Sequence, residues 1–218
     1  MFIIYKTMDA CLIDTFIYLN KNSISHELCD DLIKLFEEET DGKYEGITHG
    51  GLNKDIKDTT DFIIAKKNEK WSKMYDFLEK ELKTNMKKYY TQLNKYDELC
   101  GYSNHGQKSS KKYKILNYEK FDISTFMMQR YKKNTGRYIY HNDFSIDYKN
   151  SKHRVVTYLW YLNTVEEGGE TEFWGNYKIK PEKGKLLLFP ACWTFPHCGK
   201  MPISDNKYII TGWVYVHS

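Results

Sequence analysis

The 218 residues carry 33 basic and 29 acidic side chains for a net charge of +4. The lysine pairs (Lys66-Lys67, Lys87-Lys88, Lys111-Lys112, Lys132-Lys133) are scattered rather than gathered into a stripe, so nucleic acid is not an expected partner. Hydrophobic residues make up 41% and charged residues 28%, the balance of a globular domain, and no run nears the ~20 apolar residues that cross a bilayer, so no membrane partner is expected.

Five cysteines, Cys11, Cys29, Cys100, Cys192 and Cys198, form no CxxC pair and are odd in number. A disulfide framework is therefore not expected. With no signal-peptide pattern at the start, the expected compartment is reducing and cytoplasmic. The 19 Tyr and 5 Trp favour pleated, half-buried surfaces and lean the reading towards β structure.

In chain order, residues 16–19 read as a short strand. A helix follows from Ser25, an acceptable N-cap, with Leu28, Leu32, Leu35 and Phe36 at helical spacing. Thr40-Asp41-Gly42 stops it. Residues 46–60, rich in Gly, Asp and Thr, read as a loop leading into an apolar strand at 62–65. Trp71, Met74, Leu78, Leu82, Met86, Tyr89, Leu93 and Tyr96 then step by three or four, which predicts a long helix with one apolar face. Residues 101–114 read as an exposed polar loop.

From Ile123 the texture changes to short apolar runs separated by turn signals. The runs cover 123–131, 138–140, 154–162, 171–173, 177–179, 186–189, 194–197 and 208–216, and glycines such as Gly136, Gly168-Gly169 and Gly184 punctuate them. Many short strands at this spacing predict a sandwich, jelly roll or barrel. The expected fold is α+β, one domain over 1–218. Its segment 1–115 is mainly helical support, and 116–218 is the β core carrying the site.

His141-Asn142-Asp143 falls where a strand gives way to polar residues. Side chains two apart on a strand share a face, with Cα atoms ~6.5–7 Å apart, so an imidazole and a carboxylate can converge there on one ion. Alone, HxD is a weak signal. A third donor must come from elsewhere: His26, His49, His105, His153, His197 or His217. His197 follows the apolar run 186–189, a late strand that a jelly roll lays beside an earlier one. Two imidazoles and one carboxylate on one face of an ion leave positions open, as non-haem Fe(II) oxygenases require. Zinc accepts the same three donors.

Several segments together carry a resemblance. They are Gln129-Arg130-Tyr131, Tyr138-Ile139-Tyr140-His141-Asn142-Asp143, Arg154-Val155-Val156-Thr157-Tyr158-Leu159-Trp160-Tyr161, Gly168-Gly169-Glu170-Thr171, Pro196-His197-Cys198-Gly199 and Lys207 through Trp213. From residues 16 to 216, and most specifically from Gln129 to Val216, the chain resembles the prolyl 4-hydroxylase-like branch of the 2-oxoglutarate/Fe(II)-dependent dioxygenases.

The resemblance implies a double-stranded β-helix (jelly-roll, cupin-like) core with buttressing helices. It implies His141, Asp143 and His197 as iron ligands and Lys207 as the cation for the far carboxylate of 2-oxoglutarate. Tyr131 and Tyr161 are implied to line that pocket, with Thr171 and Trp213 at its edge. The implied cofactors are Fe(II) and 2-oxoglutarate, with ascorbate as an accessory reductant. The implied reaction consumes O2, converts 2-oxoglutarate to succinate and CO2, and hydroxylates a peptide or protein substrate containing proline.

A free amino acid or another small molecule stays open as substrate, because loops decide it; the candidates are 46–60, 101–114 and 144–152. Trp174 and Trp193 are expected either to line a peptide groove or to pack in the core. Outside this class, a cupin-like metal-binding module without oxygenase activity and a zinc hydrolase are the rivals. Neither needs a dicarboxylate pocket.

Overall fold

The computed structural model describes residues 16–99 and 121–217. The expected loop over 101–114, with His105, lies outside these residues, as do Cys11, Cys100 and the side chain of Tyr96.

Helix α1 (His26–Glu38) starts where the sequence predicts: the Ser25 side chain accepts from the Leu28 amide. Cys29, Leu32 and Phe36 form its buried face. Helix α2 (Glu69–Leu99) buries Trp71, Leu78, Leu82, Met86, Tyr89 and Leu93. Each such side chain contributes roughly 1.5–3 kcal/mol when removed from water. No helix of the described residues is long and apolar enough to cross a membrane.

Both helices pack on a nine-stranded sheet whose main path runs β1 (Tyr18–Asn20), β14 (Leu186–Pro190), β11 (Lys152–Tyr161), β16 (Lys207–His217), β8 (Phe126–Tyr131), β6 (Thr60–Ile64) and β2 (Lys43–Glu45). Off this path, β7 (Phe121–Ile123) pairs with β16 and β10 (Ile146–Asp147) with β11. A second sheet of five strands runs β13 (Tyr177–Ile179), β12 (Thr171–Phe173), β15 (His197–Gly199), β9 (Arg137–His141) and β5 (Lys57–Asp58). A short hairpin, β3 (Ile47–Thr48) and β4 (Gly51–Leu52), stands apart. All pairings within these sheets are antiparallel.

The strand period of two sorts side chains into two cores. On β8, β11, β14 and β16, Phe126, Met128, Val156, Tyr158, Trp160, Leu186, Leu188, Ile210 and Val214 face the helices. Their neighbours Tyr131, Leu159, Tyr161, Leu187, Phe189 and Ile209 face the smaller sheet and meet its Phe173 and Ile179. Strand β11 is thus buried on both faces, and two facing antiparallel sheets of this kind form a double-stranded β-helix.

Several boundaries differ from the sequence reading. The first strand is Tyr18–Asn20 rather than 16–19. The run 123–131 is two strands broken at Ser124-Thr125, because the Ser124 amide and hydroxyl bond the Trp213 backbone across the gap. The strand expected at 194–197 begins instead at His197 and continues to Gly199.

Residues 46–60 are not a plain loop: they hold β3, β4, β5 and the start of β6. Lys57 and Asp61 lie buried there against each other. The polarity of this segment signals an internal ion pair, which hydropathy cannot distinguish from a solvated loop. The segment 1–115 therefore contributes strands to both sheets as well as helices.

Candidate metal centre

Between the sheets lies a cavity of about 420 Å³. The inner-face alternation brings Gln129, Tyr131, Thr157, Leu159, Lys207, Ile209, Thr211 and Trp213 to one wall, and His141, His197, Thr171 and Gly199 to the other.

His141 ends β9 and His197 opens β15, directly opposite in antiparallel register. Asp143 follows two residues after His141. Its carboxylate oxygens stand 3.8 Å from His141 Nε2 and 3.6 Å from His197 Nε2. These spacings are too long for hydrogen bonds and suit a shared ion. Donor atoms of the three lie within 4.8 Å of one another, the one such group among the described residues. Of the other histidines weighed, His217 bonds Asp122 instead, His49 lies at the cavity wall, and His26 and His153 do not join the group.

The backbone sets the imidazole tautomers. His141 Nδ1 meets the Ile139 carbonyl at 2.8 Å and His197 Nδ1 meets that of Phe195 at 3.1 Å. Each Nδ1 therefore donates, leaving both Nε2 lone pairs for the cavity. Burial, then the neighbouring His197, pushes His141 down to about 4, so its ring is neutral near pH 7. Burial works against the Asp143 carboxylate, but His197, His141 and the Thr157 hydroxyl outweigh it and hold the group below the usual range.

Tyr138 pairs with Gly199 while His141 pairs with His197, so β9 has one more residue than β15 in this interval. The bulge turns two residues three apart to the same side, and the Tyr138 ring stacks on His141 at 3.6 Å.

Thr157 Oγ1 donates to Asp143 Oδ2 at 2.7 Å from the facing sheet. A Thr157→Val variant should bind metal roughly 10–100-fold more weakly, the usual weight of a partner behind a metal ligand. Titration with Fe(II) under anaerobic conditions measures this, and an unaltered affinity removes Thr157 from the arrangement. Cys198 points away: its thiol lies 4.0 Å from Glu172.

Across the cavity Lys207 is 1% exposed. Its ammonium sits 3.9 Å from the Tyr131 ring centre and donates to the Gly169 carbonyl at 2.9 Å. No carboxylate pairs with it among the described residues, and burial lowers it to about 7. An ammonium has three donors, so two remain for a ligand. Trp213 Nε1, also on this wall, is buried with no acceptor among the described residues. Arg154 stacks on the Trp213 ring at 3.6 Å.

Thr171 lines the cavity. Tyr161 does not, which corrects the expectation that it lines the pocket. Its hydroxyl ends on Thr171 Oγ1 at 2.7 Å, and Thr171 is the one that faces the space. Of the two tryptophans, Trp193 is 71% exposed and Trp174 packs on Phe173 and Phe195. Neither forms the cavity wall.

The residues fit an Fe(II) ion and a small dicarboxylate. Two imidazole lone pairs and an ionised carboxylate converge on one point, and a buried lysine with no carboxylate partner among the described residues stands across the same space.

The three donors lie between the two sheets of a double-stranded β-helix and form a candidate metal centre. Residues 126–215 match the 2OG-Fe(II) oxygenase superfamily. The curated relatives it resembles include probable prolyl 4-hydroxylases. Probable prolyl 4-hydroxylase 10 of Arabidopsis thaliana is 34% identical over 37% of this chain and 38% of the relative. The match thus spans well under half the length of that curated relative.

Among solved structures, the viral collagen prolyl hydroxylase of Paramecium Bursaria Chlorella virus-1 in its 2OG complex superposes with a TM-score of 0.61. It is 17% identical, over 92% of this chain and 96% of the other. A Trichoplax adhaerens prolyl hydroxylase bound to a hypoxia inducible factor peptide gives 0.65 at 19% identity, over 94% and 85%. At these identities the likeness is one of fold.

Proposed function

We propose that the chain is an Fe(II)- and 2-oxoglutarate-dependent dioxygenase that hydroxylates proline within a peptide. One observation carries the reading: a His-His-Asp cluster and a buried lysine with no counter-ion among the described residues face each other across a single cavity. A zinc hydrolase or a cupin-like binding module has no use for the second feature. The names of the relatives point to prolyl hydroxylation.

In this reading His141, Asp143 and His197 hold the metal through Nε2, a carboxylate oxygen and Nε2. Lys207 binds the far carboxylate of 2-oxoglutarate through its two free N–H groups, a charge-assisted contact stronger than a neutral one. Thr171 accepts from Tyr161, so its own proton is free to donate to the same carboxylate. Bound Fe(II) with 2-oxoglutarate and O2 supplies the oxidising power, and the products are a hydroxylated C–H carbon, succinate and CO2. The apolar side chains Leu159, Phe189 and Ile209 exclude water from the space between the two polar ends.

The substrate enters between residues 47–49 of the hairpin and Phe144-Ser145, both at the cavity edge. Ile47, Leu52, Phe144 and Tyr148 stand exposed on these segments and offer apolar contact to an extended peptide. The compartment is proposed as cytoplasmic, in keeping with the free thiols of Cys29, Cys192 and Cys198.

Incubation with Fe(II), 2-oxoglutarate and proline-rich peptides should give a gain of one oxygen atom on proline together with succinate, both dependent on 2-oxoglutarate. Succinate formation coupled only to free amino acids or other small molecules overturns the peptidyl assignment. No coupling to any substrate, with no binding of 2-oxoglutarate, overturns the dioxygenase reading.

A further inference from the structure

Asp61 is fully buried and accepts three hydrogen bonds. Lys57 Nζ lies at 2.6 Å, Thr59 Oγ1 at 2.7 Å and Gln129 Nε2 at 3.2 Å. A carboxylate paired with an ammonium only accepts. Gln129 must therefore turn its NH2 group to Asp61, which leaves its carbonyl oxygen facing the Tyr131 hydroxyl at 3.3 Å. That oxygen has no proton, so Tyr131 donates. Burial raises Tyr131 well above its ordinary value, so it has this one proton and keeps it. On the cavity side the Tyr131 oxygen has only lone pairs left.

The opposite wall runs the other way. Tyr161 donates to Thr171, so the proton of Thr171 is available to the cavity. Two phenol-led chains of opposite hydrogen-bond direction thus reach this cavity: one ends at Tyr131, whose ring lies against the Lys207 ammonium, and the other at Thr171.

We infer that Asp61 and Gln129 are positioning residues that hold the Tyr131 proton away from 2-oxoglutarate, so that its far carboxylate is bound from the Lys207–Thr171 side while Tyr131 presents its ring face. The inference rests on the dioxygenase reading. It assigns to the segment 57–61, from outside the oxygenase-like region 126–215, control over donors in the co-substrate pocket. Removing the acceptor of the Tyr131 proton frees that proton for the ligand, so such a lesion tightens binding. A merely structural lesion loosens it.

The test is anaerobic titration of 2-oxoglutarate into the Fe(II)-loaded chain, followed by visible charge-transfer absorbance and by calorimetry. Gln129→Met leaves Asp61 its Lys57 and Thr59 partners and frees the phenol. It should tighten 2-oxoglutarate by at least about threefold, the weight of one neutral hydrogen bond. The gain should vanish when Tyr131→Phe is added. Asp61→Asn, whose amide can donate to Gln129 and let it turn over, should act in the same direction with the same dependence on Tyr131.

Circular dichroism identifies a variant that fails to fold, and the other then carries the comparison. A loss of affinity, no gain, or a gain that survives Tyr131→Phe overturns the inference. Parent protein that does not bind 2-oxoglutarate, or binds it equally well after Lys207→Ala, overturns the dioxygenase reading instead.

Discussion

An Asp143→Ala variant is expected to retain its fold and to lose 2-oxoglutarate-coupled turnover to below about 1% of the parent. The carboxylate is the anionic member of the three-donor cluster, and its oxygens lie within 3.6–3.8 Å of both imidazole Nε2 atoms. A partner one shell further out already costs roughly 10–100-fold, so loss of a donor itself should exceed that. The fold should survive because Asp143 is a buried charge bonded chiefly to Thr157, and stability resides in the apolar clusters on either side of β11. Iron content after desalting and a thermal melt by circular dichroism separate the two effects. Substantial turnover in the variant would remove Asp143 from the metal site.

Lys207→Ala should leave Fe(II) affinity nearly unaltered while raising the 2-oxoglutarate requirement roughly 10–100-fold, from the loss of a charge-assisted contact of ~1.5–3 kcal/mol. The pH dependence gives a second signature. Burial lowers Lys207 from 10.5 to about 7, and only the protonated form attracts a carboxylate. Affinity for 2-oxoglutarate should thus be level below pH 7 and fall as pH rises above it, by up to tenfold per unit. Binding at pH 8 should draw in a proton, seen as a calorimetric heat that varies with buffer ionisation enthalpy, and Lys207→Ala should abolish that uptake.

The same shift has a folding consequence of fixed sign. Between pH 7 and about 10.5 the unfolded chain binds a proton that the folded chain does not, so this group makes the fold less stable as pH falls through that window. An unchanged 2-oxoglutarate requirement in Lys207→Ala would remove the residue from the pocket.

Much of the fold is legible in local sequence patterns. The helical spacing from Trp71 to Leu93, the Ser25 cap and the apolar runs of β11, β14 and β16 are local patterns, and the structure follows them with boundary shifts of a few residues. Thr157 and Gln129 left a fainter trace, each a polar residue within a buried apolar strand. That trace reveals that something is satisfied there, not what. Tyr161 went the other way: its chemistry suited a pocket wall, but Thr171 stands between its hydroxyl and the space.

By itself the sequence determined which residue types are available and which strands and helices form, because propensity, capping and periodicity act over a few neighbouring residues. It also held the HxD pair and the later His197 and Lys207 in the order of a known family. Only the tertiary structure decided that His141 faces His197 across one register, that a bulge in β9 stacks Tyr138 on His141, and that Lys57 and Asp61 are buried in the cavity wall. Those outcomes depend on pairing between strands far apart in the chain, as Lys57 with Tyr138 and His141 with His197, and on mutual satisfaction of buried polar groups, as in the Asp61–Gln129–Tyr131 chain. Hydrogen-bond direction is a property of the assembled network, and no local pattern encodes it.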